Sequence, residues 1–274
     1  MQSAELRWHT LDHTTVQDHP GLMQKIYAGE WDGFVFRSFF SPEECAQMQT
    51  GIAQAQTEAI TDTPFGRVIG KKLDEADGNF QKLPLDHSFR YTKQFRAQLP
   101  EILGLDLERT LHAGILPLCS GIPPAVPVDS EGRTWNPATI RLTKPGQGGI
   151  PTHVGNEFNE KMPDIRHLGT IAKVHDQLSF FFLLQAPERG GELILYDAVW
   201  DETKDALARD YASAVRLVES RTAHVIEMRA GDLVIFAGGR VWHQVRDVQG
   251  KVDRITMGGF MAYSNKMDKL YHWS

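Results

Sequence analysis

Two histidines carry the first chemical signal. His153 closes an extended segment and is followed two positions later by Gly155, and His243 closes another extended segment far downstream. Two imidazoles converging from separate strands form a face for a first-row divalent metal. A carboxylate two residues after the first histidine would complete a set that leaves positions open on iron(II). Here that position is a glycine. After His243 come Arg254 and, two residues on, Thr256. An arginine offers a planar, permanently charged fork that matches a carboxylate, and a neighbouring hydroxyl adds a third contact. Together these residues suit metal chemistry with an organic acid as co-ligand and one metal position without its protein ligand.

Strands must bring them together. Apolar and polar residues alternate over 139–143, and a Pro/Gly turn then leads to His153. A near-continuous apolar run over 178–184 reads as a buried strand. Further short strands fall at 192–196, 224–228, 233–236, 241–245 and 254–263, with Gly-rich turns between them and a helical excursion over 201–219. The first half differs. Residues 1–30 read as short outer helices and 33–36 as a strand. Ser41-Pro42-Glu43-Glu44 reads as a helix start, with Ser as N-cap and Pro at the first position. Apolar spacing of three and four predicts helices over 88–103 and 105–118. The Gly-rich, charged stretch 61–82, which includes Val68, Ile69, Lys71, Lys72, Asp74, Glu75 and Asp77, reads as a mobile segment around a short helix, a candidate lid. The expectation is one mainly β domain over 1–274. Residues 1–120 are mostly helical flank and lid, and 121–274 form the β core.

Composition narrows the partners. The net charge of the 274-residue chain is −6 and no block of like charge occurs, which argues against a nucleic-acid surface. No apolar run approaches a membrane span and the N-terminus lacks a signal-peptide pattern. Cys45 and Cys119 lie far apart in no metal-like spacing, so reduced thiols in the cytoplasm are expected.

Taken in order, His153, the G-G-E-L run at 190–193, A-G-D-L-V-I-F at 230–236, His243, Arg254 and Thr256 resemble the iron(II)/2-oxoglutarate-dependent oxygenases. That resemblance implies a double-stranded β-helix (jelly-roll, cupin-like) core. His153 and His243 would bind iron, and Arg254 with Thr256 would hold 2-oxoglutarate. The runs P-A-T-I-R-L, H-V-G-N-E-F, D-Q-L-S-F-F, G-G-E-L-I-L-Y, G-G-R-V-W-H, M-G-G-F-M-A-Y-S and Y-H-W-S are more specific. They resemble the carrier-independent halogenases of hapalindole-type indole alkaloids, to which N-acyl amino acid hydroxylases are related. In that branch a halide takes the place of the missing carboxylate, and its single negative charge keeps the balance, so Gly155 makes room for chloride or bromide. The resemblance further implies that Ser179 acts beside the iron, that Arg141 flanks the metal site, and that Phe158 lies on the substrate side with Val68 and Ile69 of the lid. The implied reaction uses O2 and chloride to halogenate an unactivated aliphatic C–H of a free-standing small molecule, releasing succinate and CO2, with no carrier protein.

Three alternatives stay open on the residues alone. Glu157, four residues after His153, could be a third ligand. The chain could be a hydroxylase of the same family acting on an N-acyl amino acid-like or alkaloid substrate. It could also be a non-catalytic, cupin-like binding protein. The charge in the lid departs from the alkaloid halogenases and leaves the substrate open.

Overall fold

Alternating and continuous apolar runs become strands in the structure, a computed structural model that describes residues 6–71, 73–76, 79–82, 85–159 and 163–274. The chain opens with β1 (Trp8–Leu11), α1 (Leu22–Tyr27), β2 (Gly33–Phe36) and α2 (Pro42–Gln54). Two hairpins follow, β3 (Ile60–Thr63) with β4 (Gly66–Ile69) and β5 (Leu73–Ala76) with β6 (Asn79–Lys82). Helices α3 (Leu85–Leu103) and α4 (Leu107–Ile115) lead to β7 (Pro124–Ala125), β8 (Thr139–Thr143) and β9 (Ile150–His153). After α5 (Pro163–Leu168) come β10 (Leu178–Gln185), β11 (Arg189–Gly190) and β12 (Leu193–Val199). Helices α6 (Trp200–Arg209) and α7 (Tyr211–Glu219) precede β13 (Ala223–Ile226), β14 (Leu233–Phe236) and β15 (Val241–Val245). The chain ends in β16 (Val248–Gln249), β17 (Arg254–Tyr263) and β18 (Leu270–Trp273).

The large sheet runs β1-β2-β14-β10-β17-β8-β4-β3, with β18 also on β17, and a smaller sheet runs β13-β12-β15-β9. Strand β10 shows how the two are used. Phe180 and Phe182 point into the main core, where Phe182 meets Phe39 and Phe40. Ser179 and Phe181, on the other face, line a cavity shared with β9 and β15 of the small sheet, which Phe180 also touches. The period-two alternation of side chains thus gives one strand both a core face and a site face.

The local signals for helices work where their capping chemistry is complete. Ser41 accepts from the Glu44 backbone N–H, and the Glu44 carboxylate accepts from the Ser41 N–H, a reciprocal capping box with Pro42 behind it. The stretch 61–82 differs from its sequence reading. Its described residues form hairpins in place of a short helix, because Gly66 and Gly70 take positive φ at the turns and β8 offers an edge on which β4 can pair. Such pairing is tertiary and outweighs local propensity. Lys72 and Asp77 lie outside the described residues. Residues 8–11 likewise form a strand, parallel to β2, where short helices were expected. Strands β1 to β4 therefore extend the large sheet from within 1–120, the part whose sequence reads as mostly helical. Among the described residues no helix is long and apolar enough to cross a membrane. Cys45 and Cys119 are both buried and unpaired with each other.

The C-terminal strand is anchored by a buried histidine. His272 is fully buried, its Nδ1–H donates to the Pro137 carbonyl at 2.9 Å, and its Nε2 lies 2.8 Å from that of His112 on α4. Burial pushes the His272 imidazole down from 6.5 to about 3. The unfolded chain takes up this proton near pH 6.5 and the folded one does not, so the depressed value stabilises the fold above that pH and the stability is lost as pH falls. The expected slope from this residue is at most about 1.4 kcal/mol per pH unit between roughly pH 6 and 4. Urea unfolding of H272N over that range should show a smaller pH slope than the parent; an identical slope would contradict this assignment.

Candidate active site

Pairing of β15 with β9 places His243 directly opposite His153. Their ring centroids are 4.2 Å apart at an interplanar angle of 55°. Each ring is held in the same way. The Nδ1–H of His153 donates to the Pro151 carbonyl at 2.7 Å, and that of His243 to the Val241 carbonyl at 2.8 Å. Fixing the proton on Nδ1 leaves each Nε2 lone pair available, the tautomer a metal ligand needs. Burial lowers both imidazoles, His243 well below its ordinary value; the neighbouring His153 adds to the effect on His243, and Arg141 lowers His153 further. Both are therefore neutral imidazoles at neutral pH. The Phe236 ring meets His243 edge-on at 4.9 Å and closes its inner side.

These rings open onto a cavity of about 410 Å³ between the two sheets. Arg254 also lines it, only 4% exposed, with its guanidinium carbon 5.3 Å from the centre of the Phe181 ring. Its Nε has no hydrogen-bond partner among the described residues. Burial, followed by the charge of Arg141, brings its pKa down to about 10, so it keeps its charge at neutral pH. A buried, charged and under-satisfied guanidinium is a built receptor for an anion. Thr256 is buried beside it, and β17 pairs Thr256 with Arg141 of β8. Arg141 lines the same cavity and burial lowers its pKa too. The cavity wall thus holds two cations where an organic dianion would lie.

Gly155 begins a short turn, Gly155–Phe158, immediately after β9. Its N–H donates to the Gly238 carbonyl at 2.8 Å, and the Asn156 N–H to the Gly239 carbonyl at 2.9 Å. A Cβ at Gly155 would lie 2.9 Å from Gly239 Cα and 3.0 Å from the Gly238 oxygen. The glycine is thus needed for a close crossing of two backbones, and it supplies no wall of the cavity itself. Phe158, three residues on, does line it, with its ring 5.9 Å from His153. Ser179 lines it from β10, against Gly238, where any Cβ would collide with the serine hydroxyl. Val68 lines it from β4, whereas Ile69 is turned into the main core at 3% exposure. Ile69 therefore does not belong with the cavity residues, because the alternation along β4 sends neighbours to opposite faces.

No group of three His, Cys, Asp or Glu side chains able to hold a metal occurs among the described residues. The charge of Glu157 also reaches Tyr211 of α7, whose phenol is raised by burial first and by Glu157 second. The sequence reading also missed residues. Gln177, Phe260 and Trp273 line the cavity. Gln177 was legible in principle, since it shares its parity with Ser179 on the way into β10. Trp273 was not, because only the pairing of β18 with β17 brings it there.

Relatives place this geometry. No curated protein sequence matches the chain. Among solved structures, it is similar to an N-substituted L-amino acid dioxygenase from Burkholderia ambifaria AMMD, with a TM-score of 0.54 and 13% identity over 91% of this chain and 89% of that one. It is similar also to an N-substituted L-amino acid dioxygenase from that organism in complex with alpha-KG, with a TM-score of 0.52 and 14% identity over 91% and 89% of the two chains. At such identity the likeness is one of fold. The sequence profile described as carrier-protein-independent halogenase WelO5 matches residues 5–274, nearly the whole length. The chain belongs to the carrier-protein-independent halogenase family.

Proposed function

We propose that this protein is an iron(II)- and 2-oxoglutarate-dependent halogenase that chlorinates or brominates an unactivated C–H carbon of a free-standing small molecule, on a double-stranded β-helix core. The observation that carries the reading is the ligand set. Two imidazoles, His243 buried and His153 partly buried, with matched Nε2 atoms free of the backbone, face a cavity in which the described residues form no group of three metal-binding side chains. The jelly-roll core is supported by two sheets, antiparallel apart from the outer β1–β2 and β7–β18 pairs, whose facing strands line one cavity, and by the fold-level likeness to the dioxygenases.

His153 and His243 would hold iron, and Arg254 with Thr256 would take the far carboxylate of 2-oxoglutarate. The Arg254 Nε left without a hydrogen-bond partner among the described residues fits an anion of that kind. When bound, iron and 2-oxoglutarate supply the activation of O2 that breaks the C–H bond, with succinate and CO2 as co-products. The chain's own residues set the outcome. Arg254 fixes the acid and Arg141 lowers the field-free cost of bringing in negative charge. Gly155 brings no carboxylate to compete with halide beside the histidines. Ser179 on the opposite wall, together with Phe158, orients what approaches. Phe158, Val68, Phe260 and Trp273 give the substrate end an apolar wall, and Thr139 and Lys71 add polar points. This suits a small molecule of mixed polarity.

The test incubates the protein with iron(II), 2-oxoglutarate, O2, chloride and candidate small molecules, and follows products by mass spectrometry. The expected product carries the chlorine isotope doublet, and its yield rises with chloride. Hydroxylated product alone, or turnover indifferent to chloride, would refute the reading. In the same assay Glu157→Ala should leave iron binding nearly unchanged. Loss of iron from that variant would make Glu157 the third ligand.

A further inference from the structure

Helices α6 and α7 have no part in the proposed chemistry, yet they lie behind both histidines. Strand alternation sends His153 and His243 into the cavity and their neighbours to the opposite face of the small sheet. Those neighbours are Thr152 and Val154 around His153, and Trp242 before His243. Val154 and Trp242 are fully buried in one cluster with Ala214 and Val218 of α7. Thr152 is buried as well.

Hydrogen bonds tie the same three places to the helices. The Trp242 indole N–H donates to Thr203 Oγ1 of α6 at 2.8 Å, and both residues are buried. The Tyr211 hydroxyl donates to the Thr152 carbonyl at 3.0 Å, and the Thr152 hydroxyl donates to Glu219 Oε1 at 2.7 Å. Tyr211 and Glu219 are the first and last residues of α7, so one helix grips Thr152 from both of its ends. Strand β9 needs such support. It is four residues long, lies at the edge of the small sheet and includes Pro151, which has no N–H to give. Its ladder to β15 also carries a register shift between His243 and Val245, where pairing is locally disrupted. A side chain on so short and interrupted a strand is held in place by what packs behind it.

We propose that Tyr211, Thr152 and Thr203 are positioning residues of the metal face: α6 and α7 hold the two histidine strands from behind and so set the separation and tilt of the imidazoles. The inference rests on the reading above of His153 and His243 as iron ligands. None of the three residues lines the cavity, so they act through the strands alone.

The test titrates iron(II) anaerobically into protein supplied with 2-oxoglutarate and reads the visible absorption of the complex, with thermal unfolding of the metal-free protein alongside. Y211F, T152V and T203V each delete one hydroxyl. Each should weaken iron roughly tenfold, the lower end of what a contact behind a ligand contributes, and shift the absorption band. T152S and T203S keep the hydroxyl and should bind iron as the parent does. The control is S41A, which removes the cap of α2, a helix packed on β10 of the large sheet. It should lower the unfolding temperature and leave iron affinity unchanged. If T203V does not fold, Y211F and T152V carry the comparison, since Tyr211 is largely exposed apart from its hydroxyl bond. Parental iron affinity in any folded hydroxyl-deletion variant would overturn the proposal. So would a T152S protein as weak as T152V, or an S41A protein that loses iron to the same degree, since either marks packing or stability alone. A parent protein that binds no iron would sink the histidine-pair reading itself, whereas a parent that binds iron beside unchanged variants sinks this inference only.

Discussion

His243→Ala is expected to abolish iron binding and turnover together. The residue sits at the register position opposite His153, at 6% exposure, with Nδ1 tied to the Val241 carbonyl and Nε2 turned to the cavity. With no group of three metal-binding side chains among the described residues, two imidazoles would carry the whole protein share of the proposed site. Losing one of two is more severe than losing one of three. Changes outside the ligand set already cost roughly 10–100-fold in metal affinity, so removal of the ligand itself should exceed ~100-fold. The alanine also leaves the Val241 carbonyl without its donor, at about 1–3 kcal/mol of stability. Iron titration monitored by 2-oxoglutarate-dependent absorption, alongside thermal unfolding, separates the two effects. A folded H243A protein that holds iron as tightly as the parent would show that the histidine pair is not the metal face.

Gly155→Asp is expected to end halogenation. A carboxylate two residues after His153 restores the third protein ligand and competes with halide for the same position. The structure adds a consequence that the ligand argument alone does not contain. Gly155 has no positive φ to protect, yet its Cβ position is 2.9 Å from Gly239 Cα, and both neighbours are backbone. The turn must therefore shift, at a cost of about 1–3 kcal/mol typical of overpacking. Gly155→Ala is the control, since it carries the same Cβ without the charge. Both variants should lose thermal stability. Loss of chloride dependence together with a gain of hydroxylated product belongs to the aspartate alone. Chlorination that survives in Gly155→Asp would remove the open-site account, and an alanine variant as stable as the parent would remove the packing account.

The two arguments show what different kinds of information supply. The order of motifs in the sequence, through its resemblance to the iron(II)/2-oxoglutarate oxygenases, was enough to single out His153, His243, Arg254 and Thr256. The helix start at Ser41 and the strand over 178–184 were legible because their physics is local. The hairpins of 60–82 and strand β1 were not, since their hydrogen bonds are made with β8 and β2, and no residue within those stretches records that an edge will be waiting. Ile69 went to the core and Val68 to the cavity by the phase of one strand, which pairing decides.

What the sequence by itself determined is the chemistry on offer: two imidazoles, a forked cation, and a glycine where a carboxylate could stand. Only the tertiary structure decided how these meet. It sets the histidines face to face by the register of β15 on β9, and closes Arg254 into a pocket with an unsatisfied Nε. It also presses Gly155 onto Gly239 and leaves the Gln177 amide without a protein partner for Oε1. Ligand type is a property of single residues. Register, close approach and unsatisfied burial are relations between segments far apart in the chain, and they exist only once the sheets have paired.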